Sequence, residues 1–276
     1  MSGTLYLVAT PIGNLSDLSP RALKTLGEAD FIAAEDTRVT LRLLNHFGIK
    51  KQLVSYHEHN AASAGPQILG RLLAGESCAL VTDAGTPAIS DPGESMARLA
   101  AENGVEVLSI PGCCALISAL AVSGLPTGRF TFEGFLPVGR GERKDRLDSL
   151  SGESRTMIFY EAPHKLRTTL SDLVSAFGAD RRASLSREIT KLHEQTMRLT
   201  LGEADAYYAE AEPRGEYVIV VAGAPEREGA AVDMDEGVAM VGRLRGEGVK
   251  MKDAVRRVSD DTGLNKNALY AAVLGK

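Results

Sequence analysis

Short apolar runs alternate with amphipathic helical segments along the first part of the chain. Five of these runs are predicted strands, at residues 4–10, 31–34, 54–56, 78–81 and 105–110. Most are apolar on both faces, as central strands of a helix-covered parallel sheet are. The segments between them have helical periodicity, with one predicted face formed by Leu41, Leu44 and Phe47 and another by Ile68, Leu69, Leu72 and Leu73. This alternation predicts an α/β domain with a mostly parallel sheet over residues 1–123.

A cluster of glycine and proline at residues 123–128 interrupts this pattern and is the predicted domain boundary. Beyond it, strands are predicted at residues 130–135, 157–160, 183–186, 195–201 and 217–222. Helices are predicted at residues 165–177 and 203–211. These elements predict a second α/β domain over residues 127–224, with more antiparallel pairing than the first and with a strand order that the pattern leaves open.

The C-terminal stretch differs from both domains because it carries only short helical patterns. Residues 224–229 are a predicted linker, and residues 235–276 are a predicted module of three helices, the last capped by Asn265. From Arg243 onward, eight Lys and Arg stand against four Asp and Glu, a local net charge of +4. A small basic helical module is typical of a nucleic-acid accessory, although a solvated helical bundle fits the same pattern.

Three predicted strands end in loops rich in glycine and proline, at residues 10–15, 82–93 and 111–115. In the longest loop Gly85 and Gly93 permit positive φ, while Pro92 suits the first turn of the next helix and Asp91 is its predicted N-cap. One such loop alone fits a rigid turn as well as a ligand site. Because open α/β sheets bind ligands at the carboxyl ends of their strands, three loops favour the ligand site.

Composition and charge narrow the class of protein. The 276 residues carry a net charge of −5, so any contact with nucleic acid must use a local patch. The three cysteines form no C-x-x-C pair, which favours a reducing compartment and predicts no metal site. The chain has no signal-peptide pattern and no apolar run of membrane-spanning length. These features predict a cytoplasmic protein without a membrane partner.

Ordered motifs through most of the chain resemble one known family. They lie at residues 8–15, 34–38, 56–60, 81–93, 109–112, 133–137, 160–164 and 187–191, and the central one contains TDAGTPAISDPG. On these motifs the chain resembles the tetrapyrrole methylase family, and within it the branch that acts on ribosomal RNA of the small subunit. The G-x-G-x-G-D signature of tetrapyrrole-modifying relatives is replaced here by residues 10–15, which speaks against a tetrapyrrole substrate.

The resemblance implies two α/β domains of the tetrapyrrole methylase type with a cofactor cleft between them, followed by the helical module. It implies S-adenosylmethionine as the methyl donor and a homodimer. It also implies methyl transfer to the 2′-hydroxyl of a cytidine, cytidine 1402, in the decoding region of 16S rRNA, with the rRNA or the 30S subunit as partner. By position in the family, the donor-binding residues are Pro11, Asp83, Ala84, Gly85, Thr86, Ile89, Cys114, Ala115, Tyr160 and Ile189.

A ribose hydroxyl is a poor nucleophile, so a general base would accelerate its methylation. Candidate bases are Glu35, Asp36, His57, Glu58, His59, Glu188 and Lys191, and catalysis by positioning alone is an open alternative. Asp36 also suits the cap of the following helix, and the histidines suit structural hydrogen bonds.

Basic side chains are the expected contacts to RNA phosphate. The candidates are Arg38, Arg140, Arg143, Lys144, Lys250, Lys252 and Arg256, for which a solvated surface role is the alternative. Two other functions stay open at this point: a tetrapyrrole C-methyltransferase, and a non-enzymatic regulator that senses the donor and binds nucleic acid.

Overall fold

The computed structural model describes residues 2–225 and 233–274, so part of the predicted linker and the chain's last two residues lie outside the described residues. The first sheet has five parallel strands: β1 (Thr4–Val8), β2 (Phe31–Ala34), β3 (Gln52–Ser55), β4 (Cys78–Val81) and β5 (Glu106–Ile110). Their spatial order is β3-β2-β4-β1-β5. The predicted parallel sheet is therefore confirmed, and β1 lies between β4 and β5.

Helices cover both faces of this sheet, because successive strand residues point to opposite sides. The helices are α1 (Pro20–Glu28), α2 (Thr37–His46), α3 (Ala61–Leu73) and α4 (Glu94–Glu102). Phe31 belongs to the core with α3 and α4, while the next residue, Ile32, belongs to the core with α1 and α2. The predicted face of α2 is partly wrong: Leu41 is exposed, and Thr40 shares the buried face with Leu44 at helical spacing.

The helix that follows β5 leaves the first sheet. This helix, α5 (Ala115–Val122), packs Leu116, Ala119 and Leu120 against residues of the second sheet. The backbone N–H of Leu116 also donates to the Tyr160 hydroxyl at 3.0 Å. As a result, the end of β5 lies beside the second sheet.

The second sheet is mixed, as its sequence pattern predicts. Its strands are β6 (Phe130–Gly134), β7 (Thr156–Glu161), β8 (Arg182–Arg187), β9 (Gln195–Thr200) and β10 (Tyr217–Val221). They lie in the order β6-β7-β10-β8-β9, with β6 and β7 parallel and the other pairs antiparallel. Helices α6 (Arg140–Leu150), α7 (Leu166–Phe177) and α8 (Leu201–Glu210) contribute to the core on the face opposite α5. Both sheets belong to one compact unit, residues 1–224, and the predicted boundary between two domains stays a prediction.

Three helices form a separate unit with its own core. They are α9 (Met234–Gly246), α10 (Met251–Thr262) and α11 (Lys266–Val273). Val241, Val255, Val258 and Leu269 are buried between them, and the Asn265 side chain caps α11 as predicted. Across residues 2–225 and 233–274, every helix is too short or too polar to serve as a membrane span.

Candidate functional site

The three loops rich in glycine and proline are bonded to one another, because their strands β4, β1 and β5 are neighbours. Thr10 and Gly85 exchange two backbone hydrogen bonds, of 2.9 and 3.0 Å, which join the loops after β1 and β4. The Thr86 hydroxyl donates to the carbonyl oxygen of Cys113 at 2.9 Å, which joins the loops after β4 and β5. The loops therefore form one continuous rim at the carboxyl edge of the sheet, where such sheets bind ligands.

Small residues are required where these loops meet. Gly85 has φ +83°, and a Cβ there would lie 3.5 Å from Cγ2 of Ile12. A Cβ at Gly112 would lie 3.0 Å from Cβ of Ala9, which is closer than almost all real contacts. A larger residue at either position would strain the backbone or separate the loops.

A loop of the second sheet, between β8 and β9, faces this rim. Lys191 of that loop forms ion pairs with Glu188, at 2.9 Å, and with Glu216, at 3.3 Å. Its aliphatic stem lies against the loop after β1, since a Cβ at Gly13 would be 2.5 Å from Cγ of Lys191. Residues from both sheets therefore meet at this end of the site.

Between the rim and the second sheet lies a cleft of about 260 Å³. Eight of the ten predicted donor-binding residues line it: Ala84, Gly85, Thr86, Ile89, Cys114, Ala115, Tyr160 and Ile189. The other two, Pro11 and Asp83, line a neighbouring depression beside α2 instead. The cleft also includes residues that the sequence analysis did not assign to the donor: Ile12, Ser90, Asp91, Phe135, Glu161, Ala162, Glu216, Tyr217 and Val218.

Strained backbone is concentrated in the two loops that face each other across the cleft. In the described part of the chain, the non-glycine residues with positive φ are Ala88, Ser90, Glu188 and Thr190, with φ from 51 to 69°. The first two belong to the loop after β4 and the last two to the loop after β8. Such conformations are unfavourable for residues with a side chain, and they persist where packing over-determines them, most often at functional sites.

Asp91 does not cap α4, which corrects the sequence prediction. The N-cap is Gly93, with φ 145° and no side-chain hydrogen bond to the helix. The curled backbone around Ser90 instead places Asp91 in the lining of the cleft. Burial, together with the nearby carboxylates of Glu35 and Asp83, raises the pKa of Asp91 to about 6.

The predicted catalytic residues, which do not include Asp91, lie in two groups. Glu188 and Lys191 line the cleft but are paired with each other. The Lys191 ammonium, through its hydrogen bond, lowers the pKa of Glu188. Burial works to lower the pKa of Lys191, but its ion pairs outweigh this, and the net shift is upward. Lys191 is thus protonated at neutral pH, which disfavours it as a base.

The second group lies outside the cleft lining, with Glu35 and Asp36 at the end of β2 and His57 after the neighbouring strand β3. Asp36 caps α2 and accepts two hydrogen bonds from the Arg38 guanidinium, which hold the pKa of its carboxyl far below the usual range. Burial raises the pKa of Glu35, whose carboxylate accepts a hydrogen bond from the Asp83 backbone. Nδ1 of His57 is buried and has no hydrogen-bond partner among the described residues.

The predicted RNA-binding side chains are also unequal in exposure. Arg140, Lys144, Lys250, Lys252 and Arg256 are exposed. The Arg38 side chain is exposed but paired with Asp36. Arg143 is 12% exposed and donates to Asp172 at 2.6 Å and to Thr169 at 2.7 Å, so it joins α6 to α7. This corrects the expectation that Arg143 faces solvent. Within the described ranges, no set of three or more His, Cys, Asp or Glu side chains is placed to hold a metal ion.

The fold and this cleft belong to a known class of protein. Residues 4–205 match the family of Tetrapyrrole (Corrin/Porphyrin) Methylases, and the chain is a member of that family. A solved uroporphyrin-III C-methyltransferase from Thermus thermophilus, complexed with S-adenosyl homocysteine, has the same fold. Its TM-score is 0.57 at 18% identity, over 80% of this chain and 97% of that one.

Curated relatives are more similar to this chain in sequence than the Thermus thermophilus enzyme is. The ribosomal RNA small subunit methyltransferase I of Synechocystis sp. is 47% identical over 268 residues, which cover 97% of this chain and 96% of the relative. The protein of the same name from Pseudomonas aeruginosa is 46% identical over 275 residues, which cover 99% and 97%.

Proposed function

We propose that this protein is an S-adenosylmethionine-dependent methyltransferase that methylates the 2′-hydroxyl of cytidine 1402 in the decoding centre of 16S rRNA. The observation that carries the proposal is the similarity of 46 to 47%, over nearly the whole chain, to proteins named ribosomal RNA small subunit methyltransferase I. By contrast, the uroporphyrin-III methyltransferase shares only 18% identity and supports the fold alone.

The cleft suits S-adenosylmethionine, which supplies an electrophilic methyl group on a sulfonium when it is bound. Gly85, where a Cβ would lie 3.5 Å from Cγ2 of Ile12, adds no side-chain bulk to the lining of the cleft. Ala84 and Ala115 add little bulk beside it, while Tyr160 and Ile189 provide apolar surface on the opposite side. A mostly apolar cleft with a few polar groups is typical of cofactor sites. These residues would hold the donor and exclude water from it.

A proton must leave the ribose hydroxyl, and we assign its acceptance to Asp91. Four carboxylates line the cleft: Asp91, Glu161, Glu188 and Glu216. Three of them are occupied, because Glu161 accepts hydrogen bonds from Thr169 and from the backbone of Ala162, while Glu188 and Glu216 pair with Lys191. Asp91 receives no hydrogen bond from the described residues.

The environment of Asp91 suits a general base. A pKa of about 6 leaves the carboxylate mostly ionised at neutral pH and yet more basic than an ordinary aspartate. Glu35 and Asp83 contribute to this shift, so we assign them a positioning role behind Asp91 and not a contact with substrate. The ion pairs of Lys191 hold the opposite loop in place, and alignment of the reacting groups lowers the barrier further.

The remaining parts of the proposal concern partners and location. We propose that exposed basic side chains, including Arg140, Lys144, Lys250, Lys252 and Arg256, contact the RNA backbone of the 30S subunit. The three-helix unit carries the last three of these residues on its surface. Assembly as a homodimer and a cytoplasmic location are proposals that rest on the family resemblance and on the composition.

The test is transfer of labelled methyl from S-adenosylmethionine to 30S subunits that lack the modification. The proposal expects label on the ribose oxygen of one cytidine, located by nuclease digestion and mass spectrometry. Label on a porphyrinoid and none on RNA would identify a tetrapyrrole methyltransferase instead. Donor binding without transfer to either substrate would identify a regulator. A chain that ends at residue 224 should bind the donor and lose methylation of the subunit, because it lacks the basic helices.

A further inference from the structure

A second cavity, of about 760 Å³, lies outside the cleft, between α6 and α7. Four Lys and Arg line this groove against two Asp, a local net charge of +2 in a chain whose net charge is −5. Arg140 and Lys165 have no carboxylate partner among the described residues, and His164 is exposed beside them. The groove is therefore a positively charged surface that its own acidic residues do not neutralise.

The other charges of the groove hold its shape. Arg143 is mostly buried and joins α6 to α7 through Asp172 and Thr169. Lys144 pairs with Asp148 one turn further along α6, where both side chains are exposed. The uncompensated charges thus belong to Arg140 on one wall and to Lys165 on the other, with a braced helix pair between them.

Two separate segments of the chain contribute residues to both the cleft and the groove. In the first segment Phe135 lines the cleft, while Pro137 and Val138 line the groove. In the second, Ala162 lines the cleft, while His164 and Lys165 line the groove. A strand of nucleic acid with one nucleotide in the cleft would have its neighbouring nucleotides over this groove.

An exposed aromatic side chain of the cleft lining lies two residues before the first residue of the groove lining. Phe135 is 58% exposed, and its ring packs edge-on against Tyr160 with the ring centroids 5.7 Å apart. One face of an exposed aromatic ring beside a basic groove is the arrangement with which proteins bind single-stranded nucleic acid, through base stacking and phosphate contacts.

From these observations we infer that the groove between α6 and α7 binds the RNA backbone next to the target nucleotide, with Arg140 and Lys165 on phosphates and Phe135 stacked on a base. This inference rests on the proposed function and names the surface that would position its substrate.

The experiment compares two double variants of the full-length protein that change the charge equally. One is R140E/K165E in the groove, and the matched control is R98E/R129E, two exposed arginines outside it. The groove variant should bind unmodified 30S subunits at least about tenfold more weakly than wild type. Its plot of log affinity against log salt should be less steep by about 1.4, for two lost contacts to single-stranded phosphate. The control variant should stay within about twofold of wild type, and both variants should bind S-adenosylmethionine like wild type.

The outcomes separate this inference from the proposed function. Wild-type affinity in the groove variant, or an equal loss in both variants, would overturn the inference while methylation by the wild-type protein stands. A groove variant that loses affinity for polyglutamate and keeps its affinity for 30S subunits would assign the groove to an acidic peptide, and it too would overturn the inference. Failure of the wild-type protein to methylate or bind the subunits would reject the proposed function, and the inference with it.

Discussion

Two loops face each other across the cleft. Both have strained backbone, but the charged groups of one loop are paired and the carboxylate of the other is not. The loop of residues 82–93 follows β4, and the loop of residues 188–194 joins β8 to β9. Each contains two non-glycine residues with positive φ. In the second loop the charged groups are paired, since Lys191 holds Glu188 and Glu216, and the Thr190 backbone donates to Glu194 at 2.9 Å.

In the first loop the charge is not compensated. Asp91 lies near two further carboxylates, Glu35 and Asp83, and all three influences on its pKa, burial first, act to raise it. Strained backbone is therefore common to both sides of the cleft, whereas unfavourable electrostatics occur on one side. This difference separates the two roles that we propose: the paired loop is held in place as one wall of the cleft, and the unpaired loop supplies the reactive group. Catalytic sites typically contain groups with perturbed pKa values, because a catalytic acid or base needs a pKa that suits its task.

The largest expected effect, on the rate of methylation, comes from a change in the loop of residues 82–93, where Asp91 is unpaired. Replacing Asp91 by Asn keeps the size of the side chain and removes the proton acceptor. We expect the rate of RNA methylation to fall by about 10²- to 10⁴-fold, with little change in donor affinity measured by calorimetry. The matched control is Glu188→Gln, a carboxylate in the same cleft that is already paired, and its loss of rate should be smaller. An equal rate in D91N and wild type would remove Asp91 from the mechanism.

The same variant should change stability in a pH-dependent way. Asp91 binds its proton more tightly in the folded chain, where its pKa is about 6, than in the unfolded chain, where it is about 3.8. The free energy of unfolding of the wild type therefore decreases as pH rises from about 4 to 6. Because Asn cannot ionise, D91N should be more stable than wild type at pH 7 by about 1–3 kcal/mol, where the upper figure is the full shift of the pKa and the lower one allows for screening by solvent at this partly exposed side chain, and no more stable at pH 4. Denaturant unfolding at the two pH values measures this difference.

The position of Asp91 in the cleft could not be predicted from the sequence. An aspartate before Pro92 at a helix start is a normal capping pattern, so the sequence predicts a cap. Ala88 and Ser90 have positive φ, which changes the direction of the chain before Asp91. Neither alanine nor serine is a residue type from which a positive φ can be predicted. The neighbouring glycines are different, because Gly85 and Gly93 do signal unusual backbone and both have positive φ. Local patterns thus predicted the loop but not the direction of its side chains.

Other differences between the sequence predictions and the structure arise from packing between elements that are distant in sequence. The sheet and its helices follow from local periodicity and were predicted, as were eight residues of the cleft with the help of the family resemblance. The burial of Arg143 depends on Asp172 and Thr169, which lie more than 25 residues away. Likewise, α5 continues the first pattern in sequence but packs against β7 and β10. A single sequence carries no local signal for either contact.

An intermediate effect, on stability, is expected from a change in the loop of residues 188–194, whose charges are paired. Lys191→Met keeps the aliphatic stem that lies against Gly13 and removes the ion pairs with Glu188 and Glu216. We expect a loss of about 1 kcal/mol of stability at pH 7, discounted because these side chains are partly exposed. Lys24→Met, which loses an exposed pair with Glu28, is the control and should cost less than about 0.5 kcal/mol.

The pH dependence of this loss has a definite sign. The lowered pKa of Glu188 gives stability that is present above its ordinary pKa of 4.5 and lost as pH falls through the lowered value. The raised pKa of Lys191 gives stability that is present below 10.5 and lost at higher pH. The difference between wild type and K191M should therefore be constant from about pH 5 to 10 and decrease in acid. A difference that grows in acid would contradict the assigned pairing.

The smallest effects should come from backbone strain, which the two loops share. Thr190 is β-branched at φ +66°, and its hydroxyl is buried without a partner in the described ranges, whereas Ser90 at φ +69° is unbranched and exposed. Glycine removes the strain, which is about 1–2 kcal/mol per residue, but costs about 0.5–1 kcal/mol of entropy in the unfolded chain. We therefore expect T190G to stabilise the protein by about 0.5–1 kcal/mol, and S90G to change it by less than about 0.5 kcal/mol. Thermal unfolding without the donor measures both, and a larger gain in S90G than in T190G would contradict the assignment of the greater strain to Thr190.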